Sequence, residues 1–575
     1  MAVLTKTTDI DQLLLEQKSW NDFHVAGGIS DDDWISHFIH RTHKNEVLDF
    51  EAHPYLVLLY QIPDMMAKGI VSSFVAKKGT QAGVSEWAIW LEITLAIKGL
   101  RTFHVMPTYD LVSRFVRERV DRTVDYTPLY SAYMRHEQVK ADQAGRSRAQ
   151  SVSLKQFGKG TVAYVGSNSV AGFKEFVADV GIIDEEDECD QDNLNKVVER
   201  MAHSKYRWDI RLGNPSIPKK GITNSFAKSS KHFWTLRCDR GHPIILDEFK
   251  HLVRDEGEGN YRVLDPDWEP NGGHEARCIC DKCGAPVNRK GIGEWVPENT
   301  EAAKAGHWGM HFSKLFTGYV TTNELLQRLD DGTKDEEKKK AHINGDLGLE
   351  YMPKGAMIDA EMLNACMEDY TMPASNTEPG LTLAGIDVGT RFNVWIARLV
   401  NSIHQVRLKS LCITDEIREI SDLMALLQRY RVNVGVMDAM PETRLTKVIC
   451  SRFRGFFACF YAQGDVSKKD SLMQKVLTVG RTAAIDQAKE AVQSQFIMLP
   501  VNAPTIPNLY EQVGNSVRVY DPEAYGGKGA WKWEETGPDH FLHALTYLIL
   551  ARNMAAKLTR RLPTPVQDAT VPAGG

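Results

Sequence analysis

The sequence predicts an α/β protein in two parts, and three observations predict it. From Gly69 to Ser216, apolar strands alternate with helix-patterned segments, which is how a parallel sheet covered by helices reads. Over 381–555 three strands come in succession before the alternation resumes. Between these regions, 371–380 (TMPASNTEPG) breaks the pattern with Pro, Ser, Asn and Gly. A chain of 575 residues is too long for one hydrophobic core, so two or three compact units are expected.

The elements follow in chain order. Residues 1–45 are polar and helix-prone, with Trp20 and Trp34 among acids, and read as an adaptor arm. Within 46–225 the strands fall at 69–79, 101–107, 177–187 and 209–216, and helices at 85–99 and 110–120. Residues 226–300 replace this rhythm with Gly, Asp, Pro and a cysteine cluster, as a small insertion would. Residues 301–370 complete the first unit and connect it onward. The charged run 330–340 reads as a solvated helix face or loop, and 371–380 as the linker. Beyond it, strands at 381–389, 392–400 and 404–413 precede a helix (415–430), a strand (432–439), a helix (442–453), a strand (456–462) and a late helix (539–553). That succession is the ribonuclease-H-like order. Residues 556–575 are expected to be a disordered, Pro-containing tail.

Composition excludes several classes. With 43% hydrophobic and 25% charged residues the chain is neither low-complexity nor disordered. No stretch approaches the roughly 18 to 20 apolar residues of a bilayer span, and Met1–Asp9 has no secretory pattern, so a cytoplasmic protein is expected. A net charge of -6 neither advertises nor excludes nucleic acid, because phosphate contacts depend on local patches.

Three constellations carry chemistry. Lys77-Lys78-Gly79-Thr80-Gln81-Ala82-Gly83-Val84-Ser85-Glu86 joins a strand to a helix, where backbone N–H groups and the helix dipole favour a triphosphate. Val84 stands where the usual phosphate-loop motif has lysine. Lys78, or else Lys77, is placed to reach the phosphates from the other rim, and Ser85 to hold Mg²⁺. Downstream, the apolar strand Val180–Ile183 ends in Asp184 and Glu185, a pairing suited to a metal ligand and a water-activating acid. Gly213-Asn214-Pro215-Ser216 follows the next strand and is placed to sense the terminal phosphate; Tyr55 is a candidate for stacking on adenine. Each piece also has a plain structural reading, a surface turn or an exposed strand end, and it is their pairing in one α/β region that favours a P-loop ATPase.

The second constellation is Asp387 and Asp438 at strand ends with Asp539 opening the late helix. In the inferred order these carboxylates can converge on two divalent cations, Mg²⁺ or Mn²⁺, as in a phosphodiester-cleaving nuclease. His543 shares the Asp539 helix face, and Asp486 is expected to cap a helix. The third pairs Cys238-x-x-x-His242 with Cys280-x-x-Cys283, with Cys278 as an alternative ligand. Gly241 and Gly284 permit tight bends, and four such ligands suit one structural Zn²⁺.

In this order, the displaced-lysine loop Lys78 to Ser85, Asp184-Glu185 and the three aspartates resemble the large terminase subunit of tailed bacteriophages, most closely its lambda-type branch. Met106-Pro107-Thr108-Tyr109-Asp110-Leu111 and His342-Ile343-Asn344-Gly345-Asp346-Leu347-Gly348 resemble it too. The resemblance implies a packaging motor in the host cytoplasm that uses ATP to drive double-stranded viral DNA into a procapsid, with a nuclease that cuts the concatemer. It implies a small terminase subunit, a portal protein and a homo-oligomeric ring as partners, and no membrane. By the same resemblance Lys78, Gly79, Gly83, Ser85 and Asp184 hold ATP and Mg²⁺, Glu185 is the catalytic acid, and Asp387, Asp438 and Asp539 ligate the nuclease metals. Arg114, Arg117 and Arg119 are the candidates for an arginine supplied across subunits. A helicase-type repair ATPase fused to a nuclease would use similar parts but needs a second motor domain; a capsid or portal component with degenerate sites would turn over no ATP.

Overall fold

β1 (Ser73–Lys78) is buried on both faces from Phe74 onward, as the central strand of a parallel sheet must be. In this computed structural model the described residues are 41–134, 151–169, 171–174, 176–257, 259–270, 272–353, 355–401, 406–462, 475–521 and 529–559. The adaptor arm expected over 1–45 lies outside them apart from 41–45, as does the tail beyond 559. The chain divides into Met1–Met352 and Pro353–Gly575.

In the first unit β1 is followed by α1 (Val84–Ile97), whose residues Trp87 through Ala96 are all buried, among them Glu92, which is paired with buried His104. Next come β2 (Arg101–Met106), β3 (Leu154–Phe157), β4 (Gly160–Gly166), β5 (Val180–Ile183), β6 (Trp208–Gly213), β7 (His232–Arg237), β8 (Pro243–Ile245), β9 (Glu294–Pro297) and β10 (His307–Phe312). Among the described residues they form one ten-stranded sheet ordered β9-β7-β10-β1-β6-β5-β2-β4-β3, with β8 against β7. The strands from β7 to β4 in that order pair in parallel, while β9, β8 and β3 join antiparallel at the margins. β6 therefore lies between the loop-bearing β1 and the acid-bearing β5, and all three open on the same carboxyl edge, where open α/β sheets bind ligands.

Two boundaries differ from the sequence reading. The segment 226–300 is not set apart, since its first and last strands, β7 and β9, extend the main sheet, and Cys238, Ile244 and Leu252 share the hydrophobic core of Leu56 and Phe312. The unit boundary falls at 352/353, upstream of the 371–380 segment. That segment is sutured into the second unit: buried Asn376 donates to Thr382 Oγ1 (2.9 Å) and to the Tyr430 carbonyl (3.2 Å). Its composition reports turn propensity, and long-range hydrogen bonds decide whether a turn-rich segment is also a hinge.

The second unit is built on β11 (Met367–Glu368), β12 (Thr382–Val388), β13 (Phe392–Asn401), β14 (Val406–Ile417), β15 (Val434–Asp438), β16 (Phe456–Ala462), β17 (Val476–Gly480) and β18 (Ile497–Pro500), in the order β11-β18-β14-β13-β12-β15-β16-β17. β12, β13 and β14 are antiparallel neighbours, and β15 and β16 add in parallel beyond β12. This is the ribonuclease-H-like arrangement expected. α2 (Arg481–Gln493) and α3 (His540–Thr559) cover one face. α3 crosses β12 so closely that a Cβ at Gly385 would lie 2.0 Å from the Ala544 carbonyl oxygen. Only glycine admits that approach, which carries the start of α3 over the end of β12. No helix among the described residues is long and apolar enough to cross a membrane.

Candidate functional site

Strand alternation sends Lys77 and Lys78 to opposite faces of β1. Lys77 pairs with Glu350 (2.5 Å), whereas Lys78 Nζ lies 2.7 Å from Glu185 Oε1, 3.3 Å from Asn214 Oδ1 and 3.9 Å from Asp184 Oδ1. Of the two lysines, Lys78 is therefore the one that faces the acids at the end of β5. Burial opposes its charge, but Glu185 and Asp184 outweigh that and raise its pKa above the ordinary lysine value. Glu185 adopts a left-handed backbone (φ 55°, ψ 52°), its N–H donating to Asp184 Oδ1. A non-glycine residue in that region costs on the order of 1 kcal/mol or more, and here the turn folds its carboxylate back over Lys78. Asn214 N–H reaches Glu185 Oε2 at 3.3 Å, so residues at the ends of β1, β5 and β6 form one polar cluster.

The loop itself rests on a later segment. Thr80 N–H donates to Gly345 O (2.6 Å), Gly79 N–H donates to Phe312 O (2.8 Å), and a Cβ at Gly79 would stand 2.9 Å from Asp346 O. Gly83 precedes α1, and half-buried Ser85 lies in its first turn. Beside Thr80 and Asn214 opens a cleft of about 700 Å³, also lined by Arg328, Lys338 and Asn344. The charged run 330–340 thus forms helix over most of its length, and part of it lines this cleft.

At the edge of the second unit, Ile386 pairs with Met437 in parallel register, which sets the next residues, Asp387 and Asp438, side by side. Burial, and then the charge of Asp387, raise the Asp438 pKa against a hydrogen bond from Met440 N–H (3.1 Å). Asp539 is buried, but His543, Ser516 and Arg481 more than compensate and hold its carboxyl below the usual range. Its Oδ2 accepts from Ser516 Oγ (2.7 Å) and lies 3.4 Å from His543 Nε2 and 3.5 Å from Arg481 Nη2. His540 Nδ1 sits 2.9 Å from Asp387 Oδ2, which raises the imidazole pKa. An adjacent pair of carboxylates, Asp387 buried and Asp438 half-buried, is a donor set that fits divalent cations.

Among the described residues, one group of such side chains brings all its ligand atoms within 4.8 Å: Cys238, His242, Cys280 and Cys283. Cys238 Sγ lies 3.6 Å from His242 Nδ1 and 3.8 Å from Cys283 Sγ, and Cys280 Sγ lies 3.8 Å from His242 Nδ1. A tetrahedron with metal–sulfur bonds of about 2.3 Å and metal–nitrogen bonds of about 2.05 Å has edges of roughly 3.8 and 3.6 Å, so the cluster has the dimensions of a zinc site. Both turns use positive φ at Gly241 and Gly284. Cys278, the alternative ligand, is instead a core residue whose thiol is pushed up by burial.

Residues 46–308 match the family described as phage terminase large subunit gpA, ATPase domain. Over this segment the chain is similar to the ATPase domain of phage terminase large subunits. In fold it is similar to the HK97 bacteriophage large terminase, with a TM-score of 0.51 at 8% identity, covering 90% of this chain and 98% of that one. The large terminase of a thermophilic bacteriophage gives 0.28 at 10% identity, covering 86% and 98%. That thermophilic phage protein in complex with ATP-gamma-S gives 0.26 at 12% identity, covering 85% and 97%. No curated protein matches the chain by sequence.

Some expectations for this chain change with the geometry. Tyr55 is 1% exposed and packs edge-on against Phe312 and Phe316, so it offers no ring face to adenine. An aromatic just upstream of a phosphate loop and an aromatic core residue look alike in sequence. Asp486 lies inside α2, where it accepts from Arg518 Nε and Trp533 Nε1, both at 2.8 Å, and pins a hairpin; it caps nothing. Arg119 pairs within its own chain with Glu86 at 2.8 Å, while Arg114 and Arg117 are exposed.

Asp187, which the sequence reading passed over, accepts from Ser216 N–H (2.8 Å), Ser216 Oγ (2.5 Å) and Ile222 N–H (2.6 Å). Burial raises its pKa to about 6 despite those donors. It ties the acids after β5 to the loop after β6, and the run of acids 184–187 was its only sequence signal.

Proposed function

We propose that this chain is a large terminase subunit that hydrolyses ATP at the Lys78 cluster to translocate double-stranded viral DNA into a procapsid, and cuts concatemeric DNA at the aspartates of its second unit. The observation that carries the motor reading is Lys78 facing Glu185, Asp184 and Asn214 at the ends of adjacent strands. Lys78 and the loop N–H groups bind the phosphates, Ser85 and Asp184 hold the nucleotide's Mg²⁺, and Glu185 takes the proton of the attacking water. The water oxygen bonds to the γ-phosphorus as the bond to the ADP oxygen breaks. In the nuclease, Asp387, Asp438 and Asp539 would hold two divalent cations, which polarise the phosphodiester and lower the pKa of water. A homo-oligomeric ring on the portal, with DNA supplied through a small terminase subunit, is the assembly this function requires. A helicase-type repair enzyme would need a second motor sheet, and the second unit is ordered differently.

Replacing Lys78 by Ala tests the motor reading. The lysine donates charge-assisted hydrogen bonds to phosphate, worth about 1.5–3 kcal/mol, so nucleotide affinity should fall roughly 10- to 100-fold. Unchanged binding and turnover in the full chain would mean that the loop holds no nucleotide.

The four-residue Cys/His cluster is read as structural zinc, because every ligand position is filled by protein. Metal at about a thousandfold excess over its Kd adds about 4 kcal/mol, or about 5 °C for a unit of this size. Chelation should release one zinc per chain and lower the first melting transition by that order, and Cys280→Ser should abolish the release. A purified chain that carries no zinc and melts identically with chelator would refute the assignment.

A further inference from the structure

The floor of the phosphate loop is held by a buried ionic relay that the catalytic reading does not use. The carbonyls of Gly345 and Asp346 meet Thr80 and Gly79 directly. Asp346 is fixed in turn by three cations: Lys314 Nζ at 2.8 Å, Arg328 Nη1 at 2.6 Å and His342 Nδ1 at 3.0 Å. The other ring nitrogen of His342, Nε2, lies 2.9 and 3.0 Å from the two oxygens of Glu248. Glu248, His342 and Asp346 are 2, 2 and 5% exposed.

An imidazole with a carboxylate at each nitrogen donates from both, which requires the doubly protonated ring. Burial alone would lower its pKa, but the two carboxylates raise it to about 9. Glu248 opens a short helix, Glu248–His251, and His251 Nε2 at the far end of that helix lies 3.6 Å from Asp281, between Cys280 and Cys283. The helix Glu248–His251 therefore stands between the cysteine-bearing turn, which His251 faces, and the phosphate-loop floor, which Glu248 reaches through His342.

Resting on the nucleotide reading of the Lys78 loop, we infer that His342 is a positioning residue for ATP: bridging Glu248 to Asp346, it sets the height of the 345–346 carbonyls beneath Gly79 and Thr80. Losing the bridge lets the floor relax and misplaces loop N–H groups that must all face one phosphate. A displacement of about 1 Å at such a site can cost up to a hundredfold, and partial relaxation is expected to cost about tenfold. Gln at 342 cannot substitute, because its amide oxygen would oppose one of the two carboxylates. The chemical step, carried by Glu185, does not depend on the bridge.

The test is a double-mutant cycle in the full chain, with Kd for a fluorescent ATP analogue read alongside kcat and KM. His342→Gln and Glu248→Gln should each weaken analogue binding about tenfold and raise KM, with kcat at saturation within about twofold. The double variant should bind no more weakly than either single one, because one bridge is broken once. Single variants that bind like wild type while Lys78→Ala does not, or effects that multiply in the double variant, would overturn the relay. Wild-type binding by Lys78→Ala would instead overturn the nucleotide reading beneath it. Should His342→Gln fail to fold, Glu248→Gln read against Lys78→Ala carries the test: wild-type binding by Glu248→Gln where Lys78→Ala loses it overturns the relay.

Discussion

Glu185→Gln is expected to lower kcat for ATP hydrolysis by about 10²- to 10⁴-fold, the range for losing a positioned general base, while nucleotide Kd stays level or tightens. Gln keeps the shape of the side chain and its contact with Asn214 N–H, but cannot accept a proton from water. The direction of the binding effect follows from the geometry. Lys78 now donates to Glu185 at 2.7 Å, and that ion pair must open before the lysine can serve a phosphate. Neutralising Glu185 removes the competitor, so ground-state binding gains while turnover is lost. Steady-state turnover with analogue Kd on the same preparation separates the two effects. A variant whose turnover is undiminished would place the base elsewhere; one that loses binding in proportion to turnover would make Glu185 a binding group only.

What could be read from the sequence was whatever is encoded locally. The strand–loop–helix around Lys78, the apolar strand ending in Asp184 and Glu185, the strand succession after residue 381 and the Cys/His spacing are each contiguous patterns with a fixed period or offset. What could not be read depends on partners far apart in the chain. His540 was overlooked beside Asp539 because its partner, Asp387, is 153 residues away. Ser516, which donates to Asp539, sits in a strand with no motif. Tyr55 was misread because burial is set by Phe312 and Phe316, more than 250 residues downstream. The 371–380 segment has the composition of a linker, and the buried Asn376 bonds that anchor it leave no trace in composition. The stretch His342–Gly348 stands out in the sequence only by resemblance, because Gly345 meets Thr80 across 265 residues of chain.

For the second unit the sharpest consequence concerns Asp438. Metal-dependent DNA cleavage by the Asp438→Ala chain should fall by several kcal/mol of transition-state stabilisation, on the order of a thousandfold, with the ATPase rate unchanged because Lys78, Asp184 and Glu185 belong to the other unit. The carboxylates are not equivalent. Asp539 already has Ser516, His543 and Arg481 around it, and Asp387 has His540. Among the described residues Asp438 has no such cation in bonding contact; burial and the charge of Asp387 raise its pKa. A divalent cation therefore relieves more unfavourable charge at Asp438 than at Asp539, and Asp438→Ala should weaken Mn²⁺ binding more than Asp539→Ala does. Calorimetric Mn²⁺ titration of both variants, run beside cleavage of linear duplex DNA, orders them directly. Equal cutting by wild type and Asp438→Ala would remove the nuclease centre from this sheet edge, whatever the motor does.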